Sequence, residues 1–279
     1  MLDIQSIIKP DTLKEALEQL KAAEWKVVVG GTDIIPAIRD GRIKAARIMD
    51  IGALKGELSD IYVDNRYLHI GALAKIEEVA NNAEVLRLLP TLADACRQIG
   101  SKQIRNRASI GGNIVNASPA ADSVPALVAA GASVVLKNSR EERIVDLEQF
   151  AIGPSHTVIA KDELLAEILV PVSCGPWQGK YFKVGGRNAL TIAVASAAIL
   201  QNGNGEYRIA CGSVNPTVRR APSIEAIFNS DTIQDKAAMC DAVYADINPI
   251  DDVRASRTYR AEVLVNLLYN EYIQKKGVQ

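Results

Sequence analysis

Apolar positions recur at helical spacing near the start of the chain, at Leu13, Ala16, Leu17 and Leu20, with Asp11 placed to cap the helix and Ala23 near its end. The β-branched run Val27-Val28-Val29 follows and reads as a buried strand running into a glycine turn at Gly30-Gly31. Short strands over 47–51 and 67–71 and helices over 75–81 and 91–98 complete a mixed α+β pattern. From residue 132 the pattern turns strand-like, over 134–136, 157–159 and 164–170, and stops at Pro171. The stretch 171–179, with Cys174-Gly175-Pro176 inside it, is the best linker candidate. Beyond it the spacing predicts strands over 180–184, 192–201 and 207–214 and helices over 224–228, 233–244 and 259–272. No internal repeat interrupts this order.

Composition narrows the function classes. With 279 residues, 48% of them hydrophobic and 23% charged, the chain has material for one large or two ordinary domains. Its 32 basic and 33 acidic residues leave a formal net charge of -1, so no overall field draws in nucleic acid or an anionic membrane. Small molecules and other proteins are the expected partners. Cys96, Cys174, Cys211 and Cys240 lie far apart without a CxxC pair, which argues against a zinc or iron-sulfur site within this chain and reads each as a small buried hydrophobe. The start of the chain lacks a secretory pattern and no apolar run is long enough to span a bilayer, so a cytoplasmic setting is expected.

The chemistry concentrates in two glycine pairs, Val27-Val28-Val29-Gly30-Gly31-Thr32-Asp33-Ile34 and Ser109-Ile110-Gly111-Gly112-Asn113-Ile114. Glycine lets backbone N–H groups approach phosphate oxygens, and a nearby Thr, Ser or Asn adds a side-chain donor. Neither segment reads GxGxxG or GxxxxGK[ST], so the Rossmann and P-loop mechanisms have no support. Each pair alone is also what a tight turn requires. The setting argues for more: the first pair directly follows a buried strand, and the second opens a long stretch of small residues in which Asp122 is the single ionisable residue between Arg107 and Lys137. Asp122 either takes donors from sugar-like hydroxyls or caps a helix starting near Val124. His69, in an alternating strand, and His156, in a turn, read as structural or solvated.

VVVGGTDI and SIGGNIVNASPAADSVPAL resemble the two FAD-binding loops of the flavoprotein subunits of the molybdenum hydroxylase family, the xanthine, carbon monoxide and nicotinate dehydrogenases. KPDTLKEALEQL, Ile104-Arg105-Asn106-Arg107-Ala108, CGSVNPTVRRAPSIEA and DDVRASRTYR extend the likeness over nearly the whole chain. The resemblance implies a two-part FAD-binding domain of the vanillyl-alcohol oxidase (PCMH) type over 1–174, with subdomains about 1–57 and 58–174, and a C-terminal domain of three strands and several helices over 175–279. It implies FAD contacts from Val27 to Ile34 and from Ser109 to Asn113, an Asp122 bond to a sugar-like hydroxyl of FAD, Leu165 near the flavin or adenine, and Lys183 at the flavin ring edge. By its position alone Lys183 reads as a solvated strand lysine. Where relatives carry Ser-Arg-Arg after that lysine, this chain has Val184-Gly185-Gly186-Arg187.

The implied activity is electron transfer with no catalytic side chain and no metal in this chain. Molybdopterin in a large partner subunit and [2Fe-2S] clusters in a small one feed FAD, which reduces NAD(P) or another acceptor. A non-catalytic FAD-binding or assembly protein, or a self-contained flavin oxidase, is the alternative.

Overall fold

A computed structural model describes residues 2–44, 46–187, 190–230 and 232–277. Met1 and residues 278–279, the outer ends of the two domains read from the sequence, lie outside the described residues. Three sheets follow one another along the chain. The first comprises β1 (Ile4–Ile8), β2 (Lys26–Val28) and β3 (Ala46–Asp50), with β3 central and both pairings parallel. The second contains β4 (Ile61–Val63), β5 (Tyr67–Gly71), β6 (Ser133–Lys137) and β7 (Glu142–Asp146). After a small ribbon of β8 (Ala151–Gly153) and β9 (His156–Thr157), β10 (Leu164–Pro171) returns between β5 and β6. The third is fully antiparallel, in the order β11 (Gln178–Val184), β12 (Ala195–Gln201), β13 (Tyr207–Gly212) and β14 (Arg219–Arg220). The α+β class and the small antiparallel C-terminal sheet agree with expectation. The fourth strand, β14, adds to the three implied.

β12 explains how the halves join. Side chains alternate across a strand, and every residue of Ala195–Leu200 is buried. Ala198 and Leu200 face the core that also holds β5, β6 and β10, whereas Ala197 and Ile199 face a second core built on the helices Pro222–Asn229, Lys236–Asp246 and Arg257–Lys276. A wall covered on both faces has no polar side, and its alanines let helices approach closely.

Several sequence expectations shift. Thr12, not Asp11, caps the first helix, its hydroxyl accepting from Glu15 N–H at 3.2 Å. The linker candidate is anchored: Trp177 is 2% exposed and its N–H donates to the Leu88 carbonyl at 2.9 Å. The charge-free stretch after Ser109 is not an extended loop, because Ile110–Val115 forms a helix. Cys96 and Cys211 are buried, but Cys174 and Cys240 are only partly so. His69 is held by Glu167 Oε1 at 3.0 Å and Asp64 Oδ2 at 3.3 Å beneath the stacked Tyr62 ring, and exposed His156 bonds the Pro154 carbonyl at 2.8 Å. No helix among the described residues is long and apolar enough to cross a membrane.

Candidate functional site at two glycine loops

The first glycine pair sits at the carboxyl end of β2, the position where open parallel sheets receive ligands. Gly31 has φ +69°, a left-handed conformation that turns the chain into the helix Ile34–Arg39. Ile35 N–H donates to Gly31 O at 3.2 Å and Ala37 N–H to Asp33 O at 3.1 Å. The N–H groups of Gly30, Gly31, Thr32, Asp33 and Ile34 have no acceptor among the described residues, and none of these residues is buried. Backbone donors without an acceptor among the described residues, at the start of a helix, are suited to an anion. Gly30 is fixed by packing: a Cβ there would lie 2.0 Å from Arg107 O, and Arg107 Nε donates to Gly30 O at 3.2 Å. The first loop therefore lies directly on the residues that lead into the second.

The second pair is built differently. Ser109 caps the Ile110–Val115 helix, its hydroxyl accepting from Gly112 N–H at 3.2 Å. Ile110 and Gly111 donate their N–H groups to Ala74 O and Ala72 O, both at 2.9 Å. A Cβ on Gly111 would come within 2.7 Å of the Ala72 carbonyl and side chain, so this glycine permits a backbone approach inside the protein. Gly112 alone faces outward, with Ser109 Oγ as the single near atom, 3.0 Å from a would-be Cβ. Asn113 Oδ1 accepts from Ser123 Oγ at 2.6 Å.

Asp122 and Lys183, 61 residues apart, meet at 2.7 Å between Asp122 Oδ2 and Lys183 Nζ. Lys183 is not a solvated strand lysine: its side chain is 6% exposed, and Nζ also donates to Gln98 O at 3.0 Å. Asp122 does not cap the helix Ser123–Ala129 with its side chain. Its other oxygen, Oδ1, accepts from the Tyr181 hydroxyl at 2.7 Å, a contact the sequence reading missed. The available signal was the i, i+2 spacing of Tyr181 and Lys183, which puts both on one face of β11. Burial pushes the Asp122 carboxyl above its ordinary value, while Lys183 and the two hydrogen bonds pull it down. Burial also raises the Tyr181 hydroxyl, with the Asp122 charge adding to it, so the phenol stays a donor. Leu165, at 6% exposure, is a core residue of β10 opposite Leu136.

Lys183 forms part of the floor of a cleft of about 400 Å³. Arg97, Lys102 and Arg105 line it together with Gln98, Ser101 and Thr191, and among the described residues no carboxylate does. Arg97 and Arg105 are paired from behind, with Asp94 at 2.8 Å and Glu77 at 2.7 Å. Lys183 was named from the sequence, but Arg97, Lys102 and Arg105 escaped as lining residues because they are spread over two short helices.

A buried strut supports the end of the second loop. Ser213, at φ +63°, donates its N–H to Pro119 O at 2.8 Å. Its own carbonyl accepts from Arg260 Nη1 at 3.1 Å. Arg260 is fully buried, and also reaches Val194 O at 2.5 Å and Asp252 Oδ1 at 2.7 Å.

Residues 2–173 match the family model described as the FAD binding domain in molybdopterin dehydrogenase, and residues 180–274 match the CO dehydrogenase flavoprotein C-terminal domain. The chain belongs to this flavoprotein family. This flavoprotein is 33% identical to the glyceraldehyde dehydrogenase medium chain of Sulfolobus acidocaldarius, over 93% of its own length and 94% of the relative's. It is 29% identical to the xanthine dehydrogenase FAD-binding subunit of Escherichia coli O157:H7, covering 95% and 93%. Among solved structures it superposes on a chain of carbon monoxide dehydrogenase from Hydrogenophaga pseudoflava, in a form lacking the Mo-pyranopterin moiety, with TM-score 0.88 and 26% identity over 96% of both chains. The flavoprotein is thus an FAD-binding oxidoreductase subunit of the molybdenum hydroxylase type.

Proposed function

We propose that the chain holds FAD across the two glycine loops and serves as the electron relay of a multi-subunit molybdenum hydroxylase. The observation that carries this reading is the run of N–H groups from Gly30 to Ile34 that find no acceptor among the described residues, lying against the segment that leads into Ser109–Asn113. These donors suit the diphosphate oxygens, with Val27, Val28 and Val29 as the strand that aims them and Thr32 adding a hydroxyl. On the other side Gly112 leaves an open face and Asn113 a side-chain amide, while Ser109, Ile110 and Gly111 hold the backbone in place. Asp122 keeps acceptor capacity for a sugar-like hydroxyl beside Tyr181 and Lys183. Lys183 presents a fixed cation to the flavin ring edge, and Leu165 belongs to the apolar ground behind the flavin or adenine.

FAD, when bound, supplies the redox chemistry, and the chain supplies binding, orientation and charge. In this reading residues 1–174, with subdomains about 1–57 and 58–174, form the FAD-binding domain, and residues 175–279 form the C-terminal domain. A molybdopterin-binding large subunit and a [2Fe-2S] small subunit are the partners, in the cytoplasm. The cleft, lined by Arg97, Lys102, Arg105 and Lys183 and by no carboxylate among the described residues, favours an anionic acceptor, which NAD(P) satisfies.

Reconstitution tests the relay. The chain with FAD alone is expected to oxidise no purine, aldehyde or N-heterocycle, and substrate-dependent bleaching of the flavin bands is expected once both partners are added. Bleaching by an organic substrate without partners would overturn the relay in favour of a self-contained oxidase.

A further inference from the structure

We propose that Tyr181 is a positioning residue of the flavin site, holding Asp122 as a carboxylate and so fixing Lys183 on the cleft floor. The proposal rests on the FAD reading above for its function and on the local geometry for its substance. Tyr181 is 7% exposed, and its hydroxyl lies 2.7 Å from Asp122 Oδ1. Lys183 holds the other oxygen, Oδ2, at 2.7 Å. Both donors arise from one face of β11, whereas Asp122 precedes the helix Ser123–Ala129, so the carboxylate is gripped by a different part of the chain from the one that carries it.

The groups facing Asp122 make this arrangement directional. From β11 come the Lys183 ammonium and the Tyr181 phenol. From the helix Pro90–Arg97 comes Cys96, fully buried and itself raised by burial and by the Asp122 charge, so it stays a neutral thiol. Lys183 is therefore the cation that balances Asp122, and the Tyr181 hydroxyl is a strong neutral donor to it. A buried carboxylate deprived of a donor binds a proton more readily. Once protonated, Asp122 ceases to be an ionic partner for Lys183, which keeps its bond to Gln98 O. Tyr181 is not among the residues that line the cleft. It acts through Asp122.

The sign follows from the linkage. FAD retention that depends on ionised Asp122 is complete above the carboxyl's folded pKa and is lost as pH falls through it. Removing the Tyr181 hydroxyl raises that pKa, so FAD leaves at a higher pH. Tyr181→Phe is expected to move the midpoint of acid-induced FAD release upward by about one to two pH units, the worth of one hydrogen bond to a charged group. Replacing Tyr181 by 3,5-difluorotyrosine, a stronger donor of nearly the same shape, is expected to move it downward and covers the case in which the phenylalanine variant folds poorly. In an Asp122→Asn background Tyr181→Phe is expected to move nothing further, which a general packing defect would not reproduce. Titration of the Asp122 carboxyl by ¹³C NMR in the FAD-free chain reads the same shift without flavin. Unmoved NMR and release midpoints in both Tyr181 variants would overturn the proposal. A wild-type chain that titrates as described at Asp122 yet takes up no FAD would instead overturn the FAD reading, and the assigned role of Tyr181 with it.

Discussion

The two glycine pairs look alike as sequence and differ as physics. Gly30-Gly31 leaves its backbone donors free: from Gly30 to Ile34 no N–H finds an acceptor among the described residues. At Ile110-Gly111 the donors are used up on Ala74 O and Ala72 O, and the absent Cβ of Gly111 makes room for Ala72. Both pairs permit a close backbone approach, Gly30 to Arg107 O and Gly111 to Ala72, but the first leaves a run of donors without an acceptor among the described residues, and Gly112 is the second pair's outward position. A doublet of glycines says only that something must come close, and the neighbouring carbonyls decide whether that is a ligand or the protein itself.

Gly111→Val gives the largest effect expected from this contrast. Its Cβ would enter within 2.7 Å of Ala72 backbone and side chain, so the variant is expected to lose about 3 kcal/mol or more of stability, read as a fall in melting temperature of the FAD-free chain. An undisturbed melting temperature would return Gly111 to the ligand surface.

Lys183→Met comes next, because it leaves a buried carboxylate without its cation, at a cost of about 3 kcal/mol. Asp122 already stands above its ordinary value, so its favourable contribution is fullest at low pH and fades as pH rises through the folded pKa. Losing Lys183 raises that pKa further. Denaturant unfolding is therefore expected to show the full loss at pH 8 and a shrinking one as Asp122 becomes protonated.

Gly112→Val separates binding from folding. With Ser109 Oγ as its one near neighbour, it is expected to change FAD-free stability by less than about 1 kcal/mol. It is expected to weaken FAD about tenfold or more, equivalent to about 1.4 kcal/mol, in a fluorescence titration. The smallest effect belongs to Ser109→Ala, which removes the helix cap at Gly112 N–H and is expected to cost about 1 kcal/mol in thermal unfolding.

Strong periodicity made much of the fold legible. The helix Leu13–Ala22, the strands β5 and β10, and the long helix Arg257–Lys276 all lie where their apolar spacing places them. β7 escaped because Glu142–Asp146 is an exposed edge strand with little apolar signal, and β1 because Ile4, Ile7 and Ile8 do not alternate with polar residues. The helix Ile110–Val115 was hidden by its two glycines, whose low helix propensity is overridden by the Ser109 cap and the bonds to Ala72 and Ala74. Trp177 lay in a segment that glycine and proline marked as a linker; the segment does connect β10 to β11, but tertiary packing buries Trp177 within it. At the site, Asp122 and Lys183 were named separately. Their pairing, and Tyr181 with it, is a long-range contact between a loop and a strand that no local pattern encodes.

The strut through Arg260 bears on how the protein is made. Pro119 O waits for Ser213, Ser213 is held by Arg260, and Asp122 waits for Tyr181 and Lys183. Every one of these supports is translated after the loop it steadies, the last of them on the final helix. Both glycine loops lie in the first half of the chain, yet the contacts that reach Pro119 and Asp122 come from β11, from Ser213 and, through it, from the helix Arg257–Lys276. A chain truncated before β11 would carry both glycine loops and the Ala72 and Ala74 carbonyls that anchor the second, and would lack the groups that hold Pro119 and Asp122.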